Sequence, residues 1–118
     1  MINIDFSEVK SIEPLKEGDY TATIAKAEET TAKSSGNPMI KIEYDVDETK
    51  NKLFDNFVLT QNALWKLKEL LGALGYETDD VVDLDINELV GQQVLLRVIQ
   101  EEYNGDTVNR VKKILPVA

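Results

Sequence analysis

The sequence predicts a mainly β domain of five strands with one α-helix between the third and the fourth. Three observations carry this. Apolar and polar residues alternate with a period of two through most of the chain, as on half-buried strands. The period lengthens to helical spacing once, at Leu64, Leu67, Leu71 and Leu74. Breakers such as Gly18, Gly36-Asn37-Pro38, Gly75, Gly91, Asn104-Gly105 and Pro116 fall between these stretches, not inside them.

Residues 1–18 read as a lead-in broken by Pro14 and Gly18. Asp19–Glu29 alternates and is rich in Thr and Ile, the residues that suit a pleated surface. Residues 30–38, TTAKSSGNP, are small and polar and make a loop that carries one base, Lys33. Met39–Glu48 alternates strictly, with Ile40, Ile42, Tyr44 and Val46 on one face and Met39, Lys41, Glu43 and Asp45 on the other. After a polar turn at 49–51, Lys52–Leu59 is the third strand. Thr60 suits the N-cap of the helix and Gly75 its C-terminal stop. A short helical turn is expected at Ile86–Val90, followed by a long strand over Gln92–Tyr103. Asn104-Gly105 is a hairpin turn signal because both residues tolerate positive φ, and Thr107–Leu115 is the returning strand. Five strands with a helix after the third is the order of an OB-type barrel. The alternative is an α+β arrangement, an open antiparallel sheet with one covering helix. At 118 residues the chain has the size of one domain, 1–118.

Composition narrows the function. Cysteine and histidine are absent. Thiol chemistry, disulfides and zinc-thiolate sites are therefore excluded, and so are the commonest general base and metal ligand. No Gly-Lys-Ser/Thr phosphate loop occurs. Asp83, Asp85 and Asn87 imitate the start of a calcium loop, but Glu88 stands where glycine is needed and Val94 where a bidentate glutamate is needed. A non-catalytic protein without cofactor or metal is expected. No run of apolar residues reaches membrane-spanning length and no secretory leader opens the sequence, so a cytoplasmic location in the host cell and no membrane partner are expected.

The formal net charge is −9, from 22 acids and 13 bases, which opposes phosphate binding at long range. The charge is uneven. Glu77, Asp79, Asp80, Asp83, Asp85 and Glu88 crowd residues 77–88 without a base, whereas the last twelve residues carry Arg110, Lys112 and Lys113 without an acid. Single-stranded DNA needs cations for its phosphates and flat rings for its bases. The residues suited to this are Lys33, Lys41, Phe54, Phe57, Arg97, Tyr103, Arg110 and Lys112. Phe54 and Phe57 are three apart, so a regular strand turns one outward and the other to the core. Lysines on outer faces equally serve solubility. Trp65 lies nearly opposite the leucine stripe, so it is either covered by a second layer or open to a ligand or partner.

The segments EGDYTATI, KSSGNPMIKIEYDV, FDNFVLTQNALWKLKELLGALG and LVGQQVLLRVIQEEYNGDTVNRVKKILP together resemble a phage-encoded family of single-stranded-DNA-binding-like proteins of replication modules. The resemblance covers roughly residues 1–116. It implies an OB-type barrel that coats single strands in phage DNA replication or recombination. Many such binders end in an acidic tail that recruits other proteins, whereas this sequence ends VKKILPVA and carries its acids internally. A replication or recombination protein docking at 77–88, and self-association into a homo-oligomer, are both compatible with it. The competing reading is an acidic phage accessory protein that binds and modulates a host or phage protein.

Overall fold

The computed structural model describes residues 2–3, 13–79 and 83–117. Five strands form one antiparallel sheet: β1 (Gly18–Thr31), β2 (Pro38–Val46), β3 (Lys52–Val58), β4 (Gln93–Tyr103) and β5 (Asp106–Leu115), in the spatial order β3-β2-β1-β4-β5. The helix α1 (Leu64–Ala73) follows β3, and a single 3-10 turn at Ile86–Leu89 precedes β4. Of the acidic connection, Asp80, Val81 and Val82 lie outside the described residues.

β1 is the hub. Its first part, Gly18–Thr23, pairs with β4, and Ala22–Thr31 pairs with β2. A bulge between Ile24 and Lys26 lets the strand turn from one partner to the other, since an extra residue bends a strand and increases its twist. Alternation puts Ala22, Ile24, Ile42, Tyr44, Val46, Val94, Leu96 and Val98 on the inner face, where they form one core with Phe57, Leu70 and Leu89. The β4–β5 hairpin closes through Asn104 and Gly105, both at positive φ (50° and 84°), the geometry that matches the twist of the flanking strands.

The sheet is open. Among the described residues no backbone pairing joins β3 to β5, so of the two expectations the alternative, an open antiparallel sheet with one covering helix, describes the fold better than the OB-type barrel. The reason is α1, which packs against both edge strands. Leu67, Leu70 and Leu71 bury its inner face, each contributing about 1.5–3 kcal/mol. The helix ends as glycine allows. Gly75, at φ 90°, donates to the Gly72 carbonyl, and Tyr76 donates to that of Leu71, the paired bonds of a Schellman motif. Its start differs from expectation. The cap position is Ala63, with no side-chain cap, because residues 60–63 make a turn in which the Thr60 carbonyl accepts from the Ala63 and Leu64 amides. No helix among the described residues is long and apolar enough to cross a membrane.

The two phenylalanines of β3 test this arrangement. Phe57 is fully buried, whereas Phe54 is 67% exposed on the opposite face. Phe57→Ala should therefore cost about 3–5 kcal/mol, as deletion of a large core side chain does, and Phe54→Ala less than about 0.5 kcal/mol. Urea titration of both variants checks this, and comparable losses would contradict the facing of β3.

Candidate nucleic-acid interface

On the outer face of β1, β2 and β3 the register lines residues up across the strands. One row is Lys26, Glu43 and Phe54, the next Glu28, Lys41 and Asn56, and the third Thr30, Met39 and Val58. Two adjoining depressions follow these rows. The first is lined by Lys26, Lys41, Phe54 and Asn56 with Glu28 and Glu43, and the second by Lys33, Lys41, Met39 and Asn56 with Thr30 and Thr31 at the end of β1 and Ala32 and Ser34 of the loop. Lys41 and Asn56 belong to both, so the depressions form one trough with the Phe54 ring towards one end and Lys33 at the other. The loop is held by the Ala32 amide donating to the Asn37 carbonyl and the Gly36 amide to that of Ala32. This keeps Lys33 at the rim.

Local backbone geometry explains who is present. Regular alternation from Ala22 and Ile24 would turn Lys26 into the core. The bulge shifts the register by one, so Lys26 pairs with the outward Glu43 and becomes exposed. Neither Lys26 nor Asn56 is among the residues that sequence reasoning singles out. A signal for Asn56 exists, since it lies two residues from Phe54 on the same strand face, but none exists for the bulge. Among the described residues, Lys26, Lys33 and Lys41 form no ion pair, while Lys52 at the border is held by Asp45 at 2.7 Å and Glu43 at 4.0 Å.

The other expected residues lie elsewhere. Phe57 faces the core, so its ring is lost to stacking, and Lys66 Nζ sits 5.1 Å from its centroid. Arg97 stands opposite Asp19 on β1 and donates to its carboxylate through Nε at 3.0 Å and Nη2 at 3.3 Å. That pairing holds the Asp19 carboxyl below its usual range and leaves Arg97 with its charge answered. Arg110 is engaged likewise by Glu101 at 3.0 Å. Tyr103 is 61% exposed, but it lies at the hairpin end with Glu101, Glu102 and Asp106, all exposed acids. Lys112 is set apart by a second bulge, which leaves it unpaired between Val111 and Lys113. The expected single groove over β4 and β5 is therefore divided, because two of its cations are paired with carboxylates and its tyrosine stands among acids.

Beneath the seam between β3 and β5, Asp55 is only 8% exposed. Its Oδ1 accepts from Lys66 Nζ, which also donates to the Asn56 carbonyl at 3.2 Å. Asp55 Oδ2 and the Tyr44 hydroxyl are buried without a protein partner. Burial pushes the Asp55 carboxyl up from its ordinary value, against the opposing pull of Lys66. Tyr44 is held neutral by burial, reinforced by the negative charges of Asp55 and Glu69.

The raised Asp55 value sets a pH dependence. Below the ordinary carboxylate range Asp55 is protonated whether the chain is folded or unfolded. As the pH rises, the unfolded chain loses this proton first, which lowers the folded protein's stability until the folded value too is passed. Relative to Asp55→Asn, the wild type should thus lose stability from about pH 4 upward and then level off. Denaturant midpoints measured across pH decide the point, since a wild type that gains stability over this range would mean that Lys66 outweighs burial.

Comparison with protein families matches residues 2–118 to one described as a protein of unknown function, DUF669. None of the curated proteins matches the chain. The match spans nearly the whole sequence, and the chain belongs to the DUF669 family.

Proposed function

We propose that this protein binds single-stranded DNA with little sequence preference, along the trough over β1, β2 and β3. The observation that carries the reading is an exposed aromatic ring, Phe54, in a trough with three lysines that no carboxylate pairs among the described residues. A ring offers stacking to any base, and ammonium groups meet the phosphates. Glu28 and Glu43 lie in the same trough, and the whole chain is acidic, so affinity rests on short-range stacking more than on long-range attraction.

The order β3-β2-β1-β4-β5, the bulged β1 shared by both halves and the helix after β3 support a partly open OB-type barrel whose seam lies between β3 and β5. In that architecture the faces of the second and third strands, with the loops between the first two and the last two strands, are the usual oligonucleotide surface; Phe54 and Lys41 lie on those strand faces and Lys33 on the first of those loops. Phage DNA replication or recombination is proposed as the setting, on the strength of the sequence resemblance. One observation favours a second reading, an accessory protein that binds another protein. Glu77, Asp79, Asp83, Asp85 and Glu88 are all exposed in a run without a base. Leu84 and Ile86 of the same segment pack against the core, so the run is anchored rather than loose.

Fluorescence anisotropy with labelled single-stranded and duplex oligonucleotides at low salt tests the proposal. Single strands should bind more tightly than duplex. Phe54→Ala should weaken single-strand binding by about 1–3 kcal/mol, the value of one stacked base. Substituting Lys33 or Lys41 by Gln should flatten the slope of log affinity against log salt by about 0.7 for each phosphate no longer neutralised. Tyr103→Ala should bind as the wild type does. Tighter duplex binding, or indifference to Phe54→Ala, would overturn the proposal, and absence of any oligonucleotide binding would leave the accessory reading in its place.

A further inference from the structure

Trp65, on the outward side of α1, is 66% exposed. It is the chain's single tryptophan. On one side it shares a cleft with Lys66, Lys112, Lys113 and the carboxylates Asp55 and Glu69, and on the other it adjoins Lys68. Of the two carboxylates in the cleft, Asp55 is paired with Lys66 Nζ through Oδ1, while Glu69 accepts from the Ile114 amide at 3.2 Å and keeps its charge. Lys68, Lys112 and Lys113 form no ion pair among the described residues. The β5 bulge brings the last two out side by side, since Val111 and Lys113 pair with β4 and Lys112 does not. A flat ring with three unanswered ammonium groups around it stands out on a chain of net charge −9.

This patch adjoins the trough. Asn56 lines both trough depressions, and its carbonyl accepts from Lys66 Nζ. Lys66 in turn lines the Trp65 cleft. The hydrogen bond from Lys66 to Asn56 is thus a shared border where the edge of β3 meets α1. We propose that a bound single strand crosses this border from the Phe54 trough and continues onto α1 and β5, where Trp65 stacks a second base and Lys112 and Lys113 hold phosphates. This inference rests on the reading of the Phe54 trough as a single-strand site. An acidic peptide would meet the same ring and charges, but it would have no reason to lie in continuity with that trough.

Two thymidine oligonucleotides test the path, about 4 and about 16 nucleotides long, the limits of the span that one such domain covers. The readouts are anisotropy of the labelled oligonucleotide and the emission of Trp65. The longer oligonucleotide should quench Trp65. Trp65→Ala should weaken its binding about tenfold, as expected for one base left unstacked. Replacing Lys112 and Lys113 with Gln should flatten its salt slope by about 0.7 per phosphate no longer neutralised. Quenching in the wild type needs no variant, so it stands even where a substitution disturbs folding. If the longer oligonucleotide binds in a Phe54-dependent way while Trp65 emission and the Trp65→Ala affinity are unmoved, the extended path is wrong and the trough reading survives. If neither oligonucleotide binds, both fall. If polyglutamate quenches Trp65 and the oligonucleotides do not, the patch docks an acidic protein segment and the path is overturned.

Discussion

The edges of the sheet are joined through side chains of α1 and not through backbone hydrogen bonds. Lys66 reaches β3, where it meets the Asp55 carboxylate and the Asn56 carbonyl, and Glu69 reaches β5, where it accepts from the Ile114 amide. Unpaired strand edges invite pairing with other chains. Here an inward charge on β3 and a helix laid over the seam blunt both edges. Much else depends on this clasp. It places Leu67, Leu70 and Leu71 over the core, it buries a carboxylate, and it fixes the outward side of the helix on which Trp65 stands.

Burying Asp55 with one unsatisfied oxygen is costly, and among the described residues its compensation comes from Lys66 and the backbone amide of Asn56. The β1–β2–β4 centre is held instead by backbone ladders, with a bulge in β1 between Ile24 and Lys26. The clasp gives Lys66 two tasks. Its ammonium pairs with Asp55 and also lies over the Phe57 ring, 5.1 Å from its centroid, so two inward side chains of β3 are arranged around it.

Charge pairing divides the surface into two kinds of cation. Arg97 and Arg110 are matched with Asp19 and Glu101 across neighbouring strands, where exposed pairs contribute little stability but leave no charge to spare for a ligand. Lys26, Lys33 and Lys41 of the trough, and Lys68, Lys112 and Lys113 around Trp65, are unmatched among the described residues. On a chain this acidic, local surplus and not net charge decides where an anion can approach, because salt screens fields beyond about 8–10 Å.

Element order, the Asn104-Gly105 hairpin, the glycine stop at Gly75 and the opposite facing of Phe54 and Phe57 can all be read from the residues alone. Each follows from a periodicity or a backbone preference acting over a few residues. The candidate site is legible there only in part. Lys33, Lys41 and Phe54 come together because alternation and one loop place them. Lys26 joins them only through a bulge, which shifts register without leaving a residue signature. Arg97 is lost to a partner 78 residues away, and Trp65 faces solvent because the helix has a single neighbouring layer. Whether the sheet closes is likewise a matter of tertiary packing, since strand order is the same in a barrel and in an open sheet. Local alternation fixes which way a side chain points, while pairing across the fold decides whether its charge or ring remains available.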